Sequence, residues 1–70
     1  MNTYENYISL SDIMQVNNNA LLSVINTLKP LGRFYSQDKT KWVAVDNSTG
    51  DAWTEEFNTE REAIEWLSEL

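Results

Sequence analysis

The sequence contains no cysteine, no histidine, one proline and two glycines among its 70 residues. Without cysteine there is no disulfide framework and no thiolate metal site. Without histidine, the usual general base near neutral pH and the usual transition-metal ligand are both missing. Basic residues are scarce as well: five Lys and Arg stand against eleven Asp and Glu, a formal net charge of −6. No apolar run approaches the roughly 20 residues that span a bilayer, and the N-terminus lacks the basic-then-apolar pattern of a signal peptide. A chain of this length forms one domain and buries only ~60% of its unfolded surface, so one thin core leaves little room to enclose a substrate. These absences point away from an enzyme and from a cofactor, metal or small-molecule site. They leave the cytoplasm as the expected location.

What is present is most legible in the last third. Thr59-Glu60-Arg61-Glu62 has the form of a capping box, in which the Thr59 hydroxyl and the Glu62 carboxylate each satisfy an amide of the first turn. Ala63, Ile64, Leu67 and Leu70 then fall on one helical stripe that Trp66 widens. Arg61 and Glu65 are spaced for an i,i+4 pair. The pattern predicts a helix over residues 59–69. Before it, residues 41–46 and 51–57 are rich in β-branched and aromatic side chains, and Asn47-Ser48-Thr49-Gly50 between them is turn chemistry, with Gly50 free to take positive φ. The oxygen-rich stretch Asp46 to Asp51 lacks calcium-loop spacing and reads as a turn whose side chains cap backbone amides. A third strand is expected over residues 33–37, giving a three-stranded antiparallel sheet over residues 33–57.

The first half is read as helical over residues 10–28. Leu10, Ile13, Met14, Leu21, Val24, Ile25 and Leu28 keep one helical register, with Asn17 at the position that would complete it. Ser9 or Ser11 would cap the start, and Pro30 ends any helix by about Lys29. Asn17-Asn18-Asn19 are three poor helix formers in the middle. Either one helix runs through them with a polar patch, or two short helices meet there; the unbroken register favours one. Two would resemble a helix-turn-helix, yet residues 21–28 offer no base-reading Arg or Lys. Residues 1–7 are expected to be loose. The resulting expectation is a single α+β domain of αβββα order.

Charge is unevenly distributed. Lys29, Arg33, Lys39 and Lys41 cluster around the first strand, whereas residues 46–70 carry eight acids against Arg61. Glu55 and Glu56 are adjacent on a strand, so they point to opposite faces and form no acid–base dyad. Five residues are the candidate partner contacts: Trp42 and Trp53, each read first as core and one of which could lie on the outer face of the sheet as an aromatic anchor, Glu55 and Glu56 as an acidic surface, and Leu22, which falls off the apolar stripe of its helix.

The segment Trp42-Val43-Ala44-Val45-Asp46 through Gly50, followed by Phe57-Asn58-Thr59-Glu60-Arg61-Glu62-Ala63-Ile64-Glu65-Trp66-Leu67, resembles the arm-type DNA-binding domain at the N-terminus of phage integrases. The likeness covers roughly residues 32–70. It implies three strands and a helix, with the sheet inserted in the major groove of DNA on basic residues. Here the second and third strands carry Asp46, Asp51, Glu55 and Glu56 in their place, and such a surface repels phosphates. In size and acidity the chain also resembles small accessory proteins of phages and other mobile elements, which implies such an origin. The reading favoured is a small, non-enzymatic protein-interaction or regulatory protein that contacts a partner protein or a second copy of itself. A nucleic-acid binder using the basic cluster and a DNA mimic that blocks a host nucleic-acid enzyme are the alternatives.

Overall fold

The computed structural model describes residues 12–69. Over them the chain runs β1 (Ile13–Gln15), α1 (Asn18–Thr27), β2 (Gly32–Asp38), β3 (Lys41–Asn47), β4 (Trp53–Phe57) and α2 (Glu60–Ser68). One four-stranded sheet has the order β1-β2-β3-β4, with β1 parallel to β2 and the other neighbours antiparallel. The α+β class and the C-terminal helix match the expectation from sequence. The αβββα order does not: the sheet has four strands and is mixed, and the helix expected over residues 10–28 is a strand followed by a ten-residue helix. Leu10, the caps assigned to Ser9 and Ser11, and residues 1–7 lie outside the described residues.

The correction turns on Asn17. Its backbone is extended (φ −81°, ψ 168°) and its side-chain Oδ1 accepts the amide of Ala20 at 2.8 Å, so it caps α1 instead of continuing a helix through it. The three asparagines that are poor in a helix interior are therefore at its start, where a side-chain oxygen can compete for backbone amides. Upstream, Ile13, Met14 and Gln15 pair with Arg33, Phe34 and Tyr35. Ile13 joins the core on one side of the sheet and Val16 on the other. Parallel neighbours cannot be joined by a tight turn, so α1 is the crossover between β1 and β2. It ends at Leu28, whose left-handed backbone (φ 61°) returns an N–H to the Val24 carbonyl at 2.8 Å.

Alternation on β2 and β3 sends side chains to two separate cores. Phe34 and Val45, with Val43 partly buried, pack under Leu21 and Val24 of α1. Tyr35 and Ala44 pack under Ala63 and Leu67 of α2, with Ile13, Trp42, Phe57, Ile64 and Trp66 around them. The helices thus cover opposite faces of the sheet. Small Ala44 and Ala63, both fully buried, let α2 approach its strand closely. Burying Leu67 completely contributes roughly 1.5–3 kcal/mol. Gly32 sits at φ 146° beneath the Phe34 ring, where an added Cβ would lie 2.9 Å from Cζ. A side chain there would be strained in the backbone and would clash with the ring.

The expected capping box closes: the Thr59 amide donates to Glu62 Oε1 at 3.1 Å and the Glu62 amide to Thr59 Oγ1 at 3.2 Å. Arg61 and Glu65 are not within ion-pairing distance of each other. The loop from β3 to β4 turns as expected, with Gly50 at φ 85°. Its anchor is Asn47, which is fully buried. Asn47 Nδ2 donates to the Pro30 carbonyl at 2.8 Å, and Oδ1 accepts the Ala52 amide at 3.1 Å. One amide group thereby ties the exit of α1 to both ends of the β3–β4 loop.

Asn17→Ala is expected to destabilise the protein by ~1 kcal/mol through the lost cap. In a continuous helix over residues 10–28 the same change would stabilise it by roughly 0.6 kcal/mol, since alanine is the better mid-helix residue. The sign of the shift in urea unfolding decides between them. Asn47→Ala orphans a buried carbonyl and a buried amide, and is expected to cost more, roughly 2–4 kcal/mol.

Candidate partner-binding cleft

β3 and β4 direct Trp42, Ala44, Asp46 and Trp53, Glu55, Phe57 to the face under α2, paired as Trp42 with Phe57, Ala44 with Glu55, and Asp46 with Trp53. α2 is centred over Ala44, so its Trp66 flank hangs toward β4. Trp66 rests on Phe57, with ring centroids 5.8 Å apart and planes tilted by 49°. Trp53 lies at the far end of β4 and remains 64% exposed. Both tryptophans line a cavity of about 400 Å³, together with Asp46, Ser48 and Thr49.

Its floor is polar. Asp46 is buried, and its Oδ1 accepts the Ser48 amide at 3.0 Å while lying 3.4 Å from Arg33 Nε. That nitrogen is itself buried and makes no hydrogen bond, so charge rather than hydrogen-bond geometry holds this pair. No donor among the described residues reaches Asp46 Oδ2. Thr49 Oγ1 donates to Asp51 Oδ2 at 2.9 Å on the rim. The Asp46–Asp51 stretch is thus a turn whose side chains cap amides, as its composition suggests. Beyond Trp66 a second, shallower hollow of about 280 Å³ is lined by Phe57, Glu62, Glu65, Trp66 and Glu69. The Trp66 ridge therefore has carboxylates on both sides.

The five candidate contacts are not brought together. Trp53 and Glu55 share the α2 face, both exposed. Trp42 is on that face too, half-buried against Tyr35 at 6.0 Å and packed against the core under α2. Glu56, opposite Val43, points to the α1 face. Leu22, 54% exposed on α1, borders a separate hollow of about 240 Å³ with Asn18, Leu21, Ile25, Asp38 and Val43. Trp66 and Asp46 were not among the expected contacts. The hairpin register would have placed Asp46 beside Trp53, while the position of Trp66 over the cleft depends on where α2 crosses the sheet.

The basic residues do not converge. Arg33 is committed to Asp46, and Lys41 Nζ donates to Asn58 Oδ1. Lys29 precedes β2 and Lys39 follows it, which separates them by roughly 20 Å of strand. On the other flank of α2, the Tyr35 hydroxyl donates to Glu60 Oε2 at 2.9 Å. No family model matches the chain, and neither curated proteins nor solved structures show a significant match to it. No helix among the described residues is long and apolar enough to cross a membrane.

Burial, and then the hydrogen bond to Glu60 and its charge, raise the Tyr35 hydroxyl above its ordinary 10.0. The folded form holds this proton to higher pH than the unfolded chain does. The resulting stability is complete below pH ~10 and is lost as pH rises through the folded value. Tyr35→Phe is expected to cost ~1 kcal/mol at neutral pH and to flatten the alkaline fall. Urea unfolding of both proteins across pH 8 to about 11.5 reads both effects. An alkaline slope unchanged in the variant would assign it to other groups.

Proposed function

We propose that this chain is a small, non-enzymatic protein-interaction module whose partner presents a basic segment to the α2–β4 side of the molecule. The observation that carries this reading is the pairing of an exposed indole, Trp53, with a flank of carboxylates from two elements, Glu55 on β4 and Glu62, Glu65 and Glu69 on α2. Large exposed aromatics are the usual anchors of interfaces, and a surface of one charge sign steers partners of the other. Asp46 and Glu55 lie on the strands that an integrase arm domain would set into DNA, on the face that here lies under α2. Dispersal of the four bases likewise argues against nucleic acid as the partner. A mimic of DNA remains a form of the same reading, in which the basic segment belongs to a nucleic-acid enzyme. An origin in a phage or mobile element rests on resemblance alone.

A second reading concerns the α1 side, where Leu22 remains 54% exposed beside its hollow. A second copy packing there would avoid the acidic flank. Sedimentation equilibrium of the parent and of Leu22→Ser separates the two: a monomer in both leaves only the α2–β4 side.

Salt-dependent binding to poly-lysine at low ionic strength, with no retention of generic duplex DNA at micromolar protein, is the expected outcome in parallel mobility assays. Charge reversal at Glu55 and Glu65, both exposed and outside the capping box, is expected to weaken poly-lysine binding while leaving the fold intact. Salt-sensitive retention of duplex DNA, or indifference to poly-lysine, would overturn the reading.

A further inference from the structure

We infer that the cleft between Trp53 and Trp66 seats an arginine side chain of the partner's basic segment, an assignment that rests on the basic-partner reading above. Three features of the cavity converge on a planar cation. Two of its five lining residues are tryptophans, and a guanidinium stacks on an aromatic face both through the ring quadrupole and as one flat group on another. Its floor is Asp46, buried, with Oδ1 occupied by Ser48 and Arg33 and with Oδ2 receiving no donor from the described residues. Its rim supplies the hydroxyls of Ser48 and Thr49, which accept as well as donate. About 400 Å³ accommodates a long side chain.

Other occupants fit less well. An apolar knob would fill the space between the indoles but would bury Oδ2 without a partner, a desolvation that costs more than the added apolar contact returns. An anionic group would meet Asp46 below and Glu55 beside it. A lysine would satisfy the carboxylate as a point charge, but its strongly hydrated ammonium loses more water on entry and cannot stack. Within the chain itself the only exposed guanidinium is that of Arg61, and seating it in a second copy would bring two bodies of net charge −6 together.

The test is a titration of the full chain, followed by the indole N–H signals of Trp42, Trp53 and Trp66 in 15N-resolved NMR spectra. The probe is an end-capped glycine pentapeptide with a central arginine. Peptides with citrulline, lysine or glutamate in its place are the controls. Expected are saturable shifts of Trp53 and Trp66 with Trp42 nearly still, and an affinity order of arginine, then lysine. Citrulline should be weaker by about tenfold or more, the factor set by removing a partly desolvated cation–π contact and its ion pair. Trp53→Ala, a change at an exposed position that the fold tolerates, should lower the arginine affinity by a similar factor. Equal shifts with citrulline, shifts centred on Trp42, no shift at millimolar arginine peptide, or unchanged affinity in Trp53→Ala would each overturn the assignment. So would a dimeric free protein whose Trp53 signal moves on Arg61→Gln. Poly-lysine binding by the parent protein together with no shift of Trp53 and Trp66 by the arginine peptide would sink the cleft while leaving the basic-partner reading standing. Loss of poly-lysine binding by the parent protein would sink that reading first.

Discussion

Everything in this small protein follows from β3 being covered on both faces. Ala44 and Val45 are neighbours in sequence, point to opposite sides of the sheet, and are both wholly excluded from solvent. A strand buried on both faces needs two layers of cover, and among the described residues two helices supply them. One must therefore go to each face. That requirement dictates where α1 lies, and with it the parallel crossover from β1 to β2. It also explains two modest cores in place of one: Leu21, Val24, Phe34 and Val45 on one side, Tyr35, Ala44, Ala63 and Leu67 on the other.

The same constraint leaves β4 only partly covered. α1 packs on β2 and β3, so Thr54 and Glu56 on its face of β4 stay in water. α2 reaches β4 with Trp66 on Phe57 but stops short of Trp53. The space between the two tryptophans is what remains where the helix runs out over the edge strand. Asn47 fixes the floor of that space, because its buried amide holds the β3–β4 loop closed while Asp46 beside it is turned to the other face. Charge is laid out in keeping with this. Acids occupy the solvated side of α2 and both faces of the edge strand, where they also discourage unwanted strand pairing.

The C-terminal half was legible because its signals are local. A capping box, a glycine turn and alternating aromatics each act within a few residues, and Thr59, Gly50 and the β3–β4 pairing all took the roles their neighbours prescribe. The N-terminal half misled because its apolar spacing is ambiguous. Ile13 and Met14 fall in register with Leu21, Val24 and Ile25 of a helix, yet on a strand they simply feed opposite faces of a doubly covered sheet. Asn17 held the deciding information, since an asparagine at the one unfilled position of an apolar stripe is better placed as a cap than as an interruption. A three-residue parallel strand has too little sequence to announce itself, and its pairing depends on β2, some twenty residues away. The cleft was half legible. Trp53 could be singled out as an anchor, whereas Trp66 joined it only once the crossing of α2 over Ala44 was known.

The function proposed for the protein is that of a small acidic scaffold, which holds the exposed Trp53 near the Asp46 carboxylate and offers the pair to a basic partner. Covalent labelling with a tryptophan-selective alkylating reagent tests that claim most directly, because it reads exposure and occupancy at once. Mapped by peptide mass, Trp53 is expected to label fastest, with Trp42 slow behind Tyr35, and an arginine-rich peptide should protect Trp53 while leaving the rate at Trp42 unchanged. Labelling that is fastest at Trp42, or reaction at Trp53 at the same rate with and without the peptide, would contradict it.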